Sequence, residues 1–297
     1  MSVPQRSQQT PVSRIAVVIP TIPARAEIYK LFTERWQPLI DLHGATLVTV
    51  VDGDKPTVNG QNARQVMGRY ATCLSNKNAG IRNLGFAYVA KYLPDVEYIL
   101  TLDDDCLPIG DPIADHVRAL NQRVPVSWLS TASEYMRGFP YKIRQEAEVV
   151  LSHGVWEGVA DWDSPTQLVL GSHRPVEFYR GPIPKGVYYP MCSMNLAFKR
   201  QLLPYIYHAP WALGIHRFDD ILTGVESKRE IDKRGWAAVS GYARVHHERA
   251  SDVYANLRNE APGMELNEYF WQGQEDHPYF KIYRSKYRQW QTFLASI

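Results

Sequence analysis

The apolar run Tyr98–Leu102, YILTL, is followed at once by Asp103, Asp104 and Asp105. A β-branched run of this kind asks for burial, whereas three adjacent carboxylates raise one another's cost of ionisation unless a cation or basic group sits among them. Few architectures accept a strand that ends this way. RIAVVIP, from Arg14, and ATLVTVVDGD, from Ala45, are built alike, the second stopping at Asp52-Gly53-Asp54. Such short runs read as buried parallel strands. Between NKNAG and KYLP the apolar Ile81, Leu84, Tyr88 and Tyr92 recur at helical spacing, which predicts a helix. Asp111 before Pro112 gives a carboxylate cap with proline at the first helical position, and Ile113, Val117 and Leu120 then share a face. Strands alternating with helices predict an α/β fold with a mostly parallel, twisted sheet flanked by helices. Ligands of such sheets collect beyond the carboxyl ends of the strands, where both acidic clusters fall. The expectation is a polar cleft that reads a nucleotide and a metal.

From about Arg123 the alternation gives way to segments punctuated by proline and glycine, such as MRGFPYK, RGPIPKGVYYP and HAPWALG. There is no internal repeat and no low-complexity linker, so one domain over residues 14–297 is expected, its irregular second half covering the cleft. Residues 1–13, MSVPQRSQQTPVS, read as a flexible polar leader without the apolar centre of a secretory signal. Cys73, Cys106 and Cys192 are too few and scattered for a disulfide framework or a zinc cluster, which points to a reduced, cytoplasmic compartment. A formal charge of +2 with no basic stripe argues against nucleic-acid binding. No apolar run approaches the roughly 20 residues of a spanning helix.

Alternate side chains of an extended backbone project to one side, so Asp103 and Asp105 form a pair and Asp104 points the other way. Such a pair suits Mn²⁺ or Mg²⁺, hard cations that bridge carboxylates to the oxygens of a nucleoside diphosphate. A solvated turn, or a cap for the next helix, is the plainer alternative.

A longer pattern narrows the choice. VVIPTIP, VVDGD, LDDDC, MRGFPYKIR, LSHGVWEGVADWDSPTQLV, PIPKGVYYPMCSMNLAF, RFDD and HHERASDVYANLRNE occur in that order between Val17 and Glu260. Together they resemble the reversibly glycosylated polypeptides, the UDP-arabinopyranose mutase family. The resemblance implies a GT-A-type, Rossmann-like nucleotide-sugar fold and a metal-dependent site acting on a UDP-sugar. By it, Asp103 and Asp105 would hold the metal, with His247 or its neighbour His246 completing the set. Asp104 would face the ribose or sugar and Asp52 the uridine. Arg82, Arg144 and Lys185 would meet the diphosphate, with uracil as an alternative for Arg82. His153, Trp156, Asp161 and Asp163 would lie near the sugar. Asp219 and Asp220 would orient or deprotonate a sugar hydroxyl, unless they simply cap a helix.

Arg137 stands where the family carries its self-glycosylated arginine. A guanidinium is a poor nucleophile, so that role needs an unusual environment or a sugar that has already left UDP. The activity implied is interconversion of UDP-arabinopyranose and UDP-arabinofuranose. Loops around VSWLS and HAPWALGIHRFDD are shorter than the family's, which leaves a glycosyltransferase with a separate acceptor as the alternative and a non-catalytic subunit of a mutase complex as a third reading. A homo-oligomer is also expected.

Overall fold

The computed structural model describes residues 14–129, 135, 137–172, 177–248 and 252–297. The expected leader lies outside the described residues. Strand β1 (Ile15–Thr21) is buried on both faces: Ala16 and Val18 join one core cluster, Ile15, Val17 and Ile19 the other. It pairs in parallel with β2 (Thr46–Val51), beyond which lie the short antiparallel strands β3 (Thr57–Val58) and β4 (Gln61–Asn62). On its other side β1 pairs in parallel with β5 (Tyr98–Leu102). This is the parallel core expected from the sequence.

The sheet then becomes mixed. It takes in β6 (Cys106–Ile109), β7 (Arg123–Val124), β8 (Ala147–Gly158), β9 (Gly181–Ile183), β10 (Asn195–Lys199) and β11 (Ala237–His247). Their spatial order after β5 is β10-β8-β11-β6, with β7 on β8 and β9 on β11. Because β10 is antiparallel to both β5 and β8, and β8 is parallel to β11, the strands β1, β2, β5, β8 and β11 all point the same way. Their carboxyl ends share one edge.

The second half therefore does more than cover a cleft, since it builds half the sheet. Its strands carry polar residues at buried positions, which hides the hydrophobic pattern. Ser152 and His153 of β8, Asn195 of β10 and Ser240 of β11 are all buried. They satisfy one another and α-helical neighbours: His116 contacts Ser152 and Asn195 at 2.9 Å each, and His153 contacts Ser240 at 3.1 Å. Burial without a paired charge pushes His116 and His153 down to about 4.

The helices are α1 (Ala26–Leu42), α2 (Ala63–Met67), α3 (Arg82–Tyr92), α4 (Pro112–Leu120), α5 (Ser164–Leu170), α6 (Asp219–Arg234), α7 (Val253–Trp271) and α8 (Pro278–Leu294). Phe32, Trp36 and Ile40 of α1 and Ile113 and Leu120 of α4 cover one face of the sheet. Helices α3, α6, α7 and α8 feed the cluster on the other. The expected cap of α4 forms, Asp111 accepting from the Ala114 N–H at 3.0 Å. Helix α3 is buried on most sides, not along one stripe, and Tyr92 is partly exposed. A Cβ on Gly85 would meet the Val18 and Val50 side chains at 2.4 and 2.9 Å, so α3 can sit this low on β1 and β2 only with glycine there. That seat drives Arg82 toward the end of β5. No helix among the described residues is long and apolar enough to cross a membrane.

Candidate active site

A cavity of about 900 Å³ opens at the shared carboxyl edge. Eight carboxylates line it, Asp103, Asp105, Asp161, Asp163, Asp219, Asp220, Glu260 and Glu268, against three arginines, Arg25, Arg82 and Arg217. Such an imbalance favours a cation inside and keeps protons on some of the acids.

The aspartate triplet is neutralised by two arginines. Arg82, almost fully buried at the start of α3, pairs with Asp103. Arg25, between β1 and α1, reaches Asp104 at 3.0 Å and Asp105 at 2.7 Å through the same nitrogen. Asp104 does not line the cavity; it also accepts from the Thr21 hydroxyl at 2.7 Å, and burial lifts it to about 6 despite Arg25. The sequence reading expected something basic here but did not find Arg25. A lone arginine after TIP carries no motif, and only the turn from β1 into α1 brings it across.

His247 ends β11 directly opposite Cys106 of β6, so strand pairing itself sets it beside Asp105. Its Nδ1–H donates to the Val159 carbonyl at 2.9 Å, leaving Nε2 to face Asp105 Oδ1 at 4.0 Å. Asp105 Oδ1 is buried and has no hydrogen-bond partner among the described residues. An orphaned carboxylate oxygen beside an imidazole oriented through its other nitrogen is the arrangement a divalent cation takes up. Among the described residues no three such side chains already converge on one point, because Asp103 is turned to Arg82. Asp105 and His247 fit the cation as they stand, and Asp103 fits as the third ligand once released. His246 is half-buried and, among the described residues, its ring meets Glu248 at 3.3 Å outside the cavity lining, so His247 is the one that faces the cavity.

Asp219 and Asp220 open the first turn of α6, where the helix dipole favours them, but neither acts as the N-cap. Phe218 occupies that position with no side-chain bond. Asp219 is buried with Oδ2 unpartnered among the described residues. Burial raises both carboxyls well above the usual range, and Asp219 and Asp161 push Asp220 further. Both carboxyls therefore keep their protons to higher pH than an exposed aspartate would. Asp161 and Asp163 also line the cavity, although Asp163 spends both oxygens on Thr166 as the cap of α5.

Other expected site residues lie elsewhere. Asp52 ends β2 at the right edge, but its oxygens accept from the backbone N–H groups of Gly53, Lys77 and Asn78 at 2.7, 2.9 and 3.1 Å. It ties down the turn that leads into Arg82. His153 does not line the cavity; its ring meets Ser240, Tyr189 and Cys192 inside the core, with Trp156 packed against it. Arg137, Arg144 and Lys185 are also absent from the lining. The segment that carries Arg137 and Arg144 enters β8 at its amino end, and β8 is 12 residues long, about 36 Å at 3.3 Å per residue. The Lys185 N–H bonds the Val126 carbonyl at that same far edge, and Lys185 is exposed. The Arg144 guanidinium stacks on Tyr135 and Tyr141 at 4.5 and 4.1 Å and donates to the Phe139 carbonyl.

Acidic carboxyl ends of parallel strands around a polar cavity mark this edge as the ligand-binding side of an α/β fold. The chain belongs to the reversibly glycosylated polypeptide family, whose pattern it matches over residues 12–274. It is 33% identical over 284 residues to "Probable UDP-arabinopyranose mutase 4" of Arabidopsis thaliana, covering 85% of this chain and 74% of that one. To UDP-arabinopyranose mutase 3 of the same plant it is 32% identical over 297 residues, covering 89% and 77%. Among solved structures, the catalytic domain of Drosophila β1,4-galactosyltransferase 7 aligns with 81% of this chain and 72% of that one, at 12% identity and a TM-score of 0.40. So loose a likeness carries no inference about chemistry.

Proposed function

We propose that this protein interconverts UDP-arabinopyranose and UDP-arabinofuranose in the cavity at the carboxyl edge. The observation that carries the reading is the meeting of Asp103, Asp105, His247, Asp219 and Asp220, from three distant parts of the chain, in one cavity. The names of the relatives support it. Mn²⁺ or Mg²⁺ on Asp103, Asp105 and His247 would supply the positive charge that a departing diphosphate needs. Arg82, once Asp103 turns to the cation, is free to meet the same anion.

Ring interconversion exchanges the sugar oxygen bonded to the anomeric carbon. The bond from that carbon to the UDP oxygen breaks, a sugar hydroxyl closes on the carbon and gives up its proton, and the former ring oxygen leaves and takes one. Finally UDP returns to the same carbon. Asp219 and Asp220 both line this site and burial favours their protonated forms, so one would accept from the incoming hydroxyl while the other donates to the outgoing oxygen. Trp162 and Trp211 line the same cavity and offer flat apolar faces to a sugar ring. Residues 14–297 act here as one domain, a reading supported by the continuous sheet.

Arg137 is not among the residues that line the cavity, so this reading keeps the sugar in the cavity between the two bond changes and needs no covalent step on Arg137. The large cavity also suits the second reading, a glycosyltransferase with a separate acceptor. The experiment is incubation of the purified protein with UDP-arabinopyranose and Mn²⁺, with products separated by anion-exchange chromatography. UDP-arabinofuranose as product supports the mutase. A new glycoside formed only with added acceptor would replace the mutase reading with the transferase.

A further inference from the structure

We infer that Arg217 is a second diphosphate-binding arginine of this site, beside Arg82, and that Glu260 is the residue that positions it. The inference rests on the nucleotide-sugar reading above and goes further by naming which cation meets the anion. Three arginines line the cavity. Arg25 is held by Asp104 and Asp105, and Arg82 by Asp103. Arg217 differs. Its Nε–H donates to Glu260 Oε1 at 2.9 Å, while its two terminal nitrogens meet no hydrogen-bond acceptor among the described residues and are not buried away from the cavity. A guanidinium held through Nε presents its two-nitrogen edge, the geometry that grips a phosphate with two parallel hydrogen bonds.

The surroundings fix this pose at a cost. Arg217 has a φ of +57°, in the left-handed region that a residue with a Cβ seldom adopts. Strain of that kind persists only where neighbours over-determine it, and here they do so from two sides. On one side, Glu260 Oε2 accepts from the Ser164 backbone N–H at 2.8 Å and from its hydroxyl at 2.7 Å, so the buried carboxylate cannot swing away from Arg217. On the other, the Phe218 ring fills a notch in α7 at Gly263, where an added Cβ would stand 2.1 Å from the ring. Glu260 and Gly263 are one turn apart on α7. A single helix thus holds both halves of the Arg217-Phe218 pair.

A surface ion pair would need neither the strained backbone nor the notch. The positive edge also stands next to Asp219 and Asp220, so a dianion bound there would lie beside the proposed proton-transfer pair.

The test is titration calorimetry of UDP, and separately of uridine, into the wild type, Arg217→Ala, Arg217→Lys and Glu260→Gln, all with saturating Mn²⁺. Arg217→Ala is expected to weaken UDP about ten- to hundredfold and to leave uridine unchanged. Arg217→Lys keeps the charge without the fork and should fall between. Glu260→Gln sets an amide N–H₂ against either Arg217 or the Ser164 N–H, so it should also weaken UDP and spare uridine. UDP binding unchanged in Arg217→Ala overturns the inference, as does an equal loss of UDP and uridine, which would mark Arg217 as structural. Failure of the wild type to bind UDP at all would instead overturn the nucleotide-sugar reading on which it stands.

Discussion

Asp52 gives the sharpest contrast between what a strand-end aspartate suggests and what this one does. Its three backbone hydrogen bonds hold Gly53, Lys77 and Asn78, and Lys77 itself sits at a φ of +59°. Asn78, Ala79 and Arg82, which follow, line the cavity. In Asp52→Ala the three N–H groups lose their acceptor, and at about 1 kcal/mol net for each, the folded state loses about 3 kcal/mol. In Asp52→Asn the amide oxygen can still serve Gly53 and Lys77, leaving only the Asn78 N–H against a donor, so the loss is about 1 kcal/mol. Equilibrium urea unfolding reads this directly, as a midpoint shift of about 1 M for alanine and about a third of that for asparagine. UDP-sugar affinity falls in the same order, because the turn that delivers Arg82 is loosened. An unmoved unfolding midpoint in Asp52→Ala, together with lost uridine binding, would refute this reasoning and make Asp52 a direct contact to the base.

Further outcomes follow from the same geometry. Asp105→Ala and His247→Ala each lower Mn²⁺ affinity about ten- to hundredfold, measured by calorimetry of Mn²⁺ into the protein with UDP present; wild-type affinity in both would remove them as ligands. Arg137→Ala retains interconversion of the UDP-pentoses, and a stop in turnover with the fold intact would show that the far-edge loop takes part. Asp219 and Asp220 are held above the ordinary carboxylate range, so the folded state keeps a proton that the unfolded chain releases above about pH 4. Their stabilising contribution is complete below that pH and is lost as pH rises through their raised values; Asp220→Asn should flatten this slope in metal-free thermal melts from pH 5 to 8, and an unchanged slope would place the proton elsewhere. Gly263→Ala forces the Phe218 ring out of its notch and should cost about 1–3 kcal/mol in unfolding experiments, with a stability loss near zero showing that α7 can shift freely.

The readable parts of the fold were those whose signals are local. Strand ends at Asp52 and Asp103 and the Asp111-Pro112 cap depend on neighbours a few residues away, and the placing of a distal histidine near Asp105 on the family pattern. Strands β8 and β11 were illegible because Ser152, His153 and Ser240 are buried as hydrogen-bonded polar residues, which breaks the apolar run that marks a strand. Arg144 and Lys185 were drawn toward the diphosphate by their charge, and Arg137 toward the sugar by the family pattern. Their position depends on the direction of β8, and direction is a property of the sheet that no single segment carries. Arg25, Arg217 and Glu260 were missed for the complementary reason. Each is an ordinary charged residue in sequence, and becomes particular only through partners 43 to 96 positions away.

The order in which the chain supplies this cavity bears on its synthesis. Arg25 and Arg82 come before the aspartate triplet in the chain, and His247 and Glu260 come long after it. When β5 first pairs with β1 on the ribosome, the three carboxylates can already be neutralised by the two arginines, without waiting for the more than one hundred residues still to be made. The arginines that sit on Asp103 and Asp105 in the finished protein thus belong to the part of the chain made before the acidic turn, whereas the histidine of the last strand comes long after it.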